Sequence, residues 1–290
     1  MSTLLSPLTD LIFKRIFGDA RNADILTDLL LSILDLPEDD YAGLEFEDTH
    51  LKPEIEGGKL VILDVKVKTK AGTILDIEIQ VCRATAMRAR ILFYSSKLIT
   101  DQMGESDNYT KIKPVILIVI ADFNLLPEEL KYHNVYRLLN EDSHKLFSRL
   151  LEIHIIELKK LPKEGDGSEL GNWMRFMKMC EEQDITILRE ANPMIQKAYG
   201  VLRKLSADEE LRLQVDAREK ALRDYYSLVS DRDDAFAERD AVKAERDAVK
   251  AERDAVKAER DAVKAELEKA MALMRAMGMT DEQISQASQK

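Results

Sequence analysis

The stretch LDVKVKTKAGTILDIEIQ, residues 63–80, places acids and an amide at spacings that could do chemistry. Read as two strands, it puts Asp64, Lys66 and Lys68 on one side of a ribbon and Leu63, Val65 and Val67 on the other. The return strand repeats the alternation with Asp76, Glu78 and Gln80. A three-residue loop of Lys70, Ala71 and Gly72, with Gly72 left-handed, sets Asp64 opposite Glu78 and Lys66 opposite Asp76. Facing β-carbons lie about 4.5–5.5 Å apart, and two carboxylates at that separation repel unless a cation lies between them. Lys66 and Asp76 are expected to form an ordinary stabilising pair. Asp64, Glu78 and the carbonyl of Ile79 suit a hard Mg2+ ion, with Mn2+ as a substitute, that keeps several waters and takes a phosphate oxygen. Gln80, on the same face, is placed to orient an attacking water. The competing reading is a solvated charged face. Against it, LVILDV and ILDIEIQ are otherwise strongly apolar, so the acids interrupt a largely buried ribbon.

The flanking segments must position that ribbon. Residues 7–34 carry a helical pattern: Ser6 and Pro7 signal a start, Leu8, Leu11, Ile12 and Ile16 follow helical spacing, and Gly18 stops the first helix before a second that ends near Leu36 and Pro37. After the hairpin, ATAMRARILFYSSKLITDQM repeats Met87, Ile91, Tyr94 and Leu98 at helical spacing and is expected beside the sheet. KPVILIVIADF, 113–123, is a continuous β-branched run, as for a central strand buried on both faces. LEIHIIEL, 151–158, is a further strand, and the polar EGDGSELGN after it closes a first domain near residue 160.

Residues 172–230 read as helices, with Trp173 in the stripe WMRFMKMC expected to pack in a core. From Arg239 to Glu266 the heptad RDAVKAE occurs four times unchanged, after a degraded copy, RDDAFAE, at 232–238. The available frames offer alanine at both a and d, or valine at a with glutamate at d, so any coiled-coil seam is thin. A long solvated helix supported by Lys243 with Asp247 and Asp247 with Lys250 is expected, self-association through the alanines being the weaker alternative. Gly278 then stops the helix, and Thr280 with Gln283 forms a capping box for a short last one.

Composition narrows the function classes. A net charge of −11 over 290 residues leaves no overall electrostatic footprint for nucleic acid, so binding there would rely on local patches or a bridging metal. Cys82 and Cys180 lack any CxxC partner, which excludes a thiolate zinc site and fits a reducing compartment. His50, His133, His144 and His154 show no metal-binding spacing. MSTLLSPLTD lacks the features of a signal peptide and no apolar run reaches a membrane span, so a cytoplasmic protein is expected.

Asp64, thirteen residues, then Glu78-Ile79-Gln80 is similar to the D-x(n)-E-x-Q variant of the PD-(D/E)XK motif found in the recombination-promoting nuclease and putative transposase family. The resemblance extends over roughly residues 6–160, through SPLTDLIFKRIFGD at 6–19, LKPEIEGGKLVILDVKVK, Arg90 with Tyr94, Gly104 with Tyr109, and KPVILIVIADF. It implies an α/β restriction-endonuclease-like core with a mixed central sheet flanked by helices, Mg2+-dependent cleavage of DNA, and a link to mobile-element recombination. On that basis Asp64 and Glu78 are metal ligands and Gln80 replaces the usual lysine. A lysine neutralises charge building on phosphate whereas glutamine only hydrogen-bonds, so slow turnover is expected. Asp10 and Lys14, one turn apart, are the candidates for the additional helix-borne acid or base. Lys66, Lys68, Arg83, Arg88 and Arg90 could form a local phosphate-contacting patch, with Tyr94 projecting beside Arg90.

The expected organisation is a nuclease-like domain at 1–160, a helical region at 161–230, the heptad-repeat helix at 231–270, and a helical tail at 271–290. The leading expectation is a metal-dependent DNA endonuclease. The alternatives are a catalytically weak nuclease fold that assembles as a homo-oligomer through its C-terminal helix and, last, a passive DNA-binding module.

Overall fold

The computed structural model describes residues 4–51, 61–81, 86–178 and 182–280; Cys82, Arg83, Cys180, Gln283 and the lead-in at 52–60 lie outside them. Helix α1 (Asp10–Phe17) buries Ile12, Phe13, Ile16 and Phe17, the spacing of an amphipathic helix with one face in a core. It begins at Asp10 rather than near Pro7, because Ser6 to Thr9 form a turn closed by Thr9 N–H on the Ser6 carbonyl at 3.1 Å. Gly18 ends it as expected: a β-carbon at this position would come within 2.7 Å of the Lys14 carbonyl. Helix α2 (Ala23–Ile33) follows, then the short α3 (Glu38–Tyr41), β1 (Glu45–Phe46) and β2 (His50–Leu51), which the sequence pattern does not announce, and β3 (Val61–Ile62), which falls in the expected hairpin at 60–81 but pairs with β2.

Strands β4 (Val65–Lys68) and β5 (Ile74–Gln80) form the hairpin in the expected register, with Lys66 across from Asp76 and Val65 from Ile77. Gly72 sits at φ +90°, donates to the Thr69 carbonyl at 2.8 Å, and so closes the three-residue loop that sets this register. Next come α4 (Met87–Thr100), β6 (Val115–Ala121), β7 (His133–Leu139) and β8 (Leu146–Glu157). The six-stranded sheet runs β1-β4-β5-β6-β8-β7, with β5, β6 and β8 mutually parallel and the other pairings antiparallel. All seven residues of β6 are buried, as its unbroken apolar run requires of a central strand. Strand β7 was not legible because it is an edge strand, exposed over most of its length, whose polar residues break the alternation. Its pairing extends β8 back to Leu146, well before the expected start at 151.

Each sheet face has its own cover. Val65, Val67, Leu75, Ile77, Ile79, Ile118 and Ile156 join α1 and α2 in the main core. Leu117, Val119, Ile153 and Ile155 meet Met87 and Ile91 of α4 on the other face, with Tyr94 and Leu98 packing on Ile74 and Val115. The expected boundary near residue 160 is not a packing boundary. Helices α5 (Glu169–Lys178), α6 (Glu182–Ala191) and α7 (Pro193–Ser206) follow, and Trp173, Phe176, Leu188, Ile195 and Leu202 enter the same core as Phe13 and Phe17. The compact unit therefore runs to Ala221.

The second unit, Leu222–Lys290, is dominated by helix α8 (Glu209–Ala276). Within the repeats Val242, Val249, Val256 and Val263 are all exposed. The ion pairs seen there are Arg239–Asp240, Arg246–Asp247, Arg253–Asp254 and Arg260–Asp261, between chain neighbours rather than the expected lysine–aspartate spacing. Gly278, at φ +85°, donates to the Arg275 carbonyl and terminates the helix as expected.

Two of the histidines are held by each other and by a glutamate. His133 Nε2 and His154 Nδ1 lie 2.9 Å apart across β7 and β8, and His154 Nε2 meets Glu152 Oε1 at 2.7 Å. Burial holds both imidazoles below their ordinary 6.5, His133 down to about 4 with His154 adding to the effect. Between 6.5 and 4 the unfolded chain therefore binds more protons than the folded one, and folding stability falls as pH drops through that window. A His133→Gln variant, which cannot titrate, is expected to show a shallower fall in melting temperature from pH 6.5 to 4 than the wild type; parallel curves would refute this.

Candidate metal centre

The ladder between β4 and β5 ends at Val65 and Ile77, and Asp64 lies in the bend just before it. Ile79 therefore faces no strand residue on that side, and its N–H donates instead to Asp64 Oδ2 at 2.9 Å. The N–H and C=O of one strand residue point to the same edge, so the Ile79 carbonyl is directed to the Asp64 side as well. Reciprocally, the Asp64 N–H donates to Glu78 Oε1 at 3.1 Å. The two acids expected to face each other are thus locked together by their own backbone, with side chains only 12% and 5% exposed.

Charge is arranged unevenly around them. Lys14 of α1 reaches Asp64 Oδ1 at 3.0 Å. Gln80 Nε2 donates to Glu78 Oε2 at 3.3 Å, and an Arg90 guanidinium nitrogen stands 3.9 Å from the same oxygen. Arg90 Nε also donates to the Tyr94 hydroxyl at 2.8 Å, with its guanidinium 4.9 Å from the Tyr94 ring centre. Burial, followed by the charge of Asp64, pushes the Glu78 carboxyl up to about 8 despite Arg90. Burial raises Asp64 too, against the pull of Lys14. Burial thus disfavours the charge on both groups, and Lys14 and Arg90 offset it only in part. The hard oxygens of the two acids, with the Ile79 carbonyl, are the donor set a divalent ion such as Mg2+ prefers, the remaining positions falling to water and phosphate. Among the described residues no three acids or histidines already stand in a metal-holding cluster.

Of the helix-borne candidates, Lys14 ion-pairs with Asp64, while the charge of Asp10 reaches Asp64 without a direct contact. The Asp10 carboxylate pairs with Arg218. Lys66 is a second departure: its ammonium, on a side chain 14% exposed, pairs with Glu47 at 2.9 Å and is committed there rather than presented to a phosphate. The expected Lys66–Asp76 ion pair consequently does not form, although the two residues are register partners. Arg88 pairs with Glu128. Asp76 is the residue that sequence reasoning misjudged. It is wholly buried, neither carboxyl oxygen has a hydrogen-bond partner among the described residues, and burial, then Glu78 and Asp64, hold its carboxyl well above the usual range. The signal was the period-two spacing of Asp76 and Glu78, which puts both on one face of β5.

A family model for PD-(D/E)XK nuclease family transposases matches residues 7–232. The chain belongs to that family. Membership in the PD-(D/E)XK nuclease family transposases accounts for the mixed sheet with its flanking helices as a restriction-endonuclease-like core and carries a nuclease-type function. The matched span includes α5 to α7, in keeping with their place in the main core. Comparison with curated proteins and with solved structures gives no match. No described helix is long and apolar enough to cross a membrane.

Proposed function

We propose that this protein is a Mg2+-dependent DNA endonuclease, with Mn2+ as an alternative ion, that hydrolyses phosphodiester bonds in recombination of mobile elements in the cytoplasm. The observation that carries the reading is the buried pair of Asp64 and Glu78, in which the Asp64 N–H donates to Glu78 Oε1 and the Ile79 N–H to Asp64 Oδ2, so that two acids are held together where burial disfavours their charge. A bound Mg2+ would supply a Lewis acid for the phosphoryl oxygen and lower the pKa of water. Asp64, Glu78 and the Ile79 carbonyl would hold the ion. Gln80 holds the Glu78 carboxylate in orientation through its amide and positions the water. Lys14 brings to Asp64 the cation that Gln80 cannot provide, and Arg90, set against Tyr94, faces incoming phosphate from α4. Asp10 acts at one remove, by pairing with Arg218 and steadying the helix that carries Lys14. With lysine replaced at the position of Gln80, turnover is slow.

Assembly through the repeat helix is the weaker companion reading. Going round the helix, the alanines of RDAVKAE are bordered by aspartate on one side and glutamate on the other, so a symmetric pair would oppose like charges at both rims. That ordering favours a solvated spacer. The test of the main reading is nicking of supercoiled plasmid: it is expected with Mg2+ or Mn2+ and abolished by EDTA. Cleavage that persists in the chelator would refute it.

A further inference from the structure

The six-stranded sheet ends at β7, which pairs with β8 on one side and has no strand on the other among the described residues. The Tyr132 carbonyl accepts from the Glu157 N–H at 2.7 Å. Backbone groups alternate in direction along a strand, so the N–H and C=O of His133, Val135 and Arg137 point away from β8. An open edge of this kind is ordinarily blunted by lysine, proline or inward-pointing charge. The strand HNVYRLL holds no lysine or proline, and its one permanent charge, Arg137, is paired with Glu152 of β8. The register shifts come only after Arg137, which leaves His133 to Arg137 regular. Strand β6 meets β8 only from Leu151 onwards, so Leu138, Leu139, Leu146 and Phe147 stand on a two-stranded ribbon beyond the β6 pairing. All four are exposed, Phe147 by 83%. Two strands alone are marginal in water, and apolar residues on such a ribbon call for a cover.

We propose that this edge is a dimer interface, at which β7 pairs antiparallel with β7 of a second copy of the chain about a two-fold axis at Tyr136. Tyr136 then faces its own counterpart, Val135 faces Arg137, and His133 faces Leu139. The outward backbone groups of Val135 and Arg137 exchange hydrogen bonds across the axis. The same count sets Lys131, just before the strand, against Glu141, just after it, and both side chains are exposed. Opposite charges therefore meet at each end of the interface. A second copy is the occupant these charges favour, because it supplies the acid for one end and the base for the other from the same surface. Leu138 and Leu139 of each copy come to lie beside the start of the other's strand, where Leu130 is 94% exposed. The interface is independent of the chemistry of the metal centre and of the repeat helix.

Sedimentation equilibrium of the full-length chain over a concentration series is expected to show a monomer and a dimer. Val135→Pro removes an outward N–H and no bond to β8, a substitution that edge strands tolerate, and it should leave a folded monomer. Lys131→Glu opposes like charges at both ends of the interface and should weaken the dimer about tenfold, as should Glu141→Lys. The double exchange, Lys131→Glu with Glu141→Lys, restores opposite charges and should return the wild-type affinity. A monomeric wild type overturns the proposal. So does a dimer indifferent to Val135→Pro, which would assign association to another surface. Should Val135→Pro fail to fold, the charge exchange decides: weakening by each single reversal with rescue by the double one supports the interface, and any other pattern overturns it.

Discussion

Replacing Glu78 with alanine is expected to lower Mg2+-dependent plasmid nicking on the order of 10^3-fold, since a bound metal supplies several kcal/mol of transition-state stabilisation and each 1.36 kcal/mol is tenfold in rate. Glu78 is central because its two oxygens meet different partners: Oε1 takes the Asp64 N–H, and Oε2 takes the Gln80 amide with Arg90 close by. Alanine removes the acceptor that the Asp64 N–H and the Gln80 amide share, so a loss of activity could reflect a disturbed hairpin. Glu78→Gln separates the two effects, because it keeps the volume and one acceptor oxygen but no charge. It should be equally inactive while remaining folded. Its stability carries a signature of its own. The Glu78 carboxyl sits at about 8 in the fold against an ordinary 4.5, so the folded chain holds the proton longer and the metal-free wild type loses stability as pH rises through that interval. Glu78→Gln removes that loss. Wild-type nicking rates in either variant would refute the assignment.

Trp173→Ala is expected to cost about 3–5 kcal/mol of unfolding free energy, the range for deleting a large buried aromatic. Trp173 is 0% exposed and packs edge-on against Phe17 of α1, with ring centres 5.7 Å apart, and against Phe176 at 5.8 Å. Its indole N–H also donates to Asp28 of α2 at 2.8 Å. Among the described residues Asp28 would keep the Asn192 amide, at 2.9 Å. A loss of this size is a large part of the 5–15 kcal/mol typical of a domain. Urea unfolding followed by circular dichroism measures it. A cost below about 1 kcal/mol would mean that α5 lies on the domain rather than in it. Activity should fall along with stability, because Phe17 lies in the last turn of the helix that delivers Lys14 to Asp64.

The register of the metal-centre hairpin was legible because it depends on local chemistry. A glycine able to take positive φ sets the loop, the loop sets the pairing, and a strand period of two assigns each side chain to a face. The buried run of β6 and the stop at Gly18 are local signals of the same kind. Lys14 was within reach as one of two candidates on α1, but the choice between them depended on a rotation that only packing against the sheet establishes. Arg218, over two hundred residues away in the chain, is the partner that Asp10 takes.

The misread residue teaches the same point. Lys66, Asp76 and Glu78 fall at alternate positions of the hairpin strands, and an alternating charged face ordinarily means water. Here α4 lies over that face, Glu47 draws Lys66 aside, and Asp76 is sealed in without a partner. The sequence by itself determined the hairpin, its facing acids and the long charged helix, since turn geometry, strand period and helix propensity act between near neighbours. Which acids are buried, which cation answers them, and that α5 to α7 belong to the core were decided by tertiary structure alone, because burial and ion pairing depend on segments that meet only when the chain has folded.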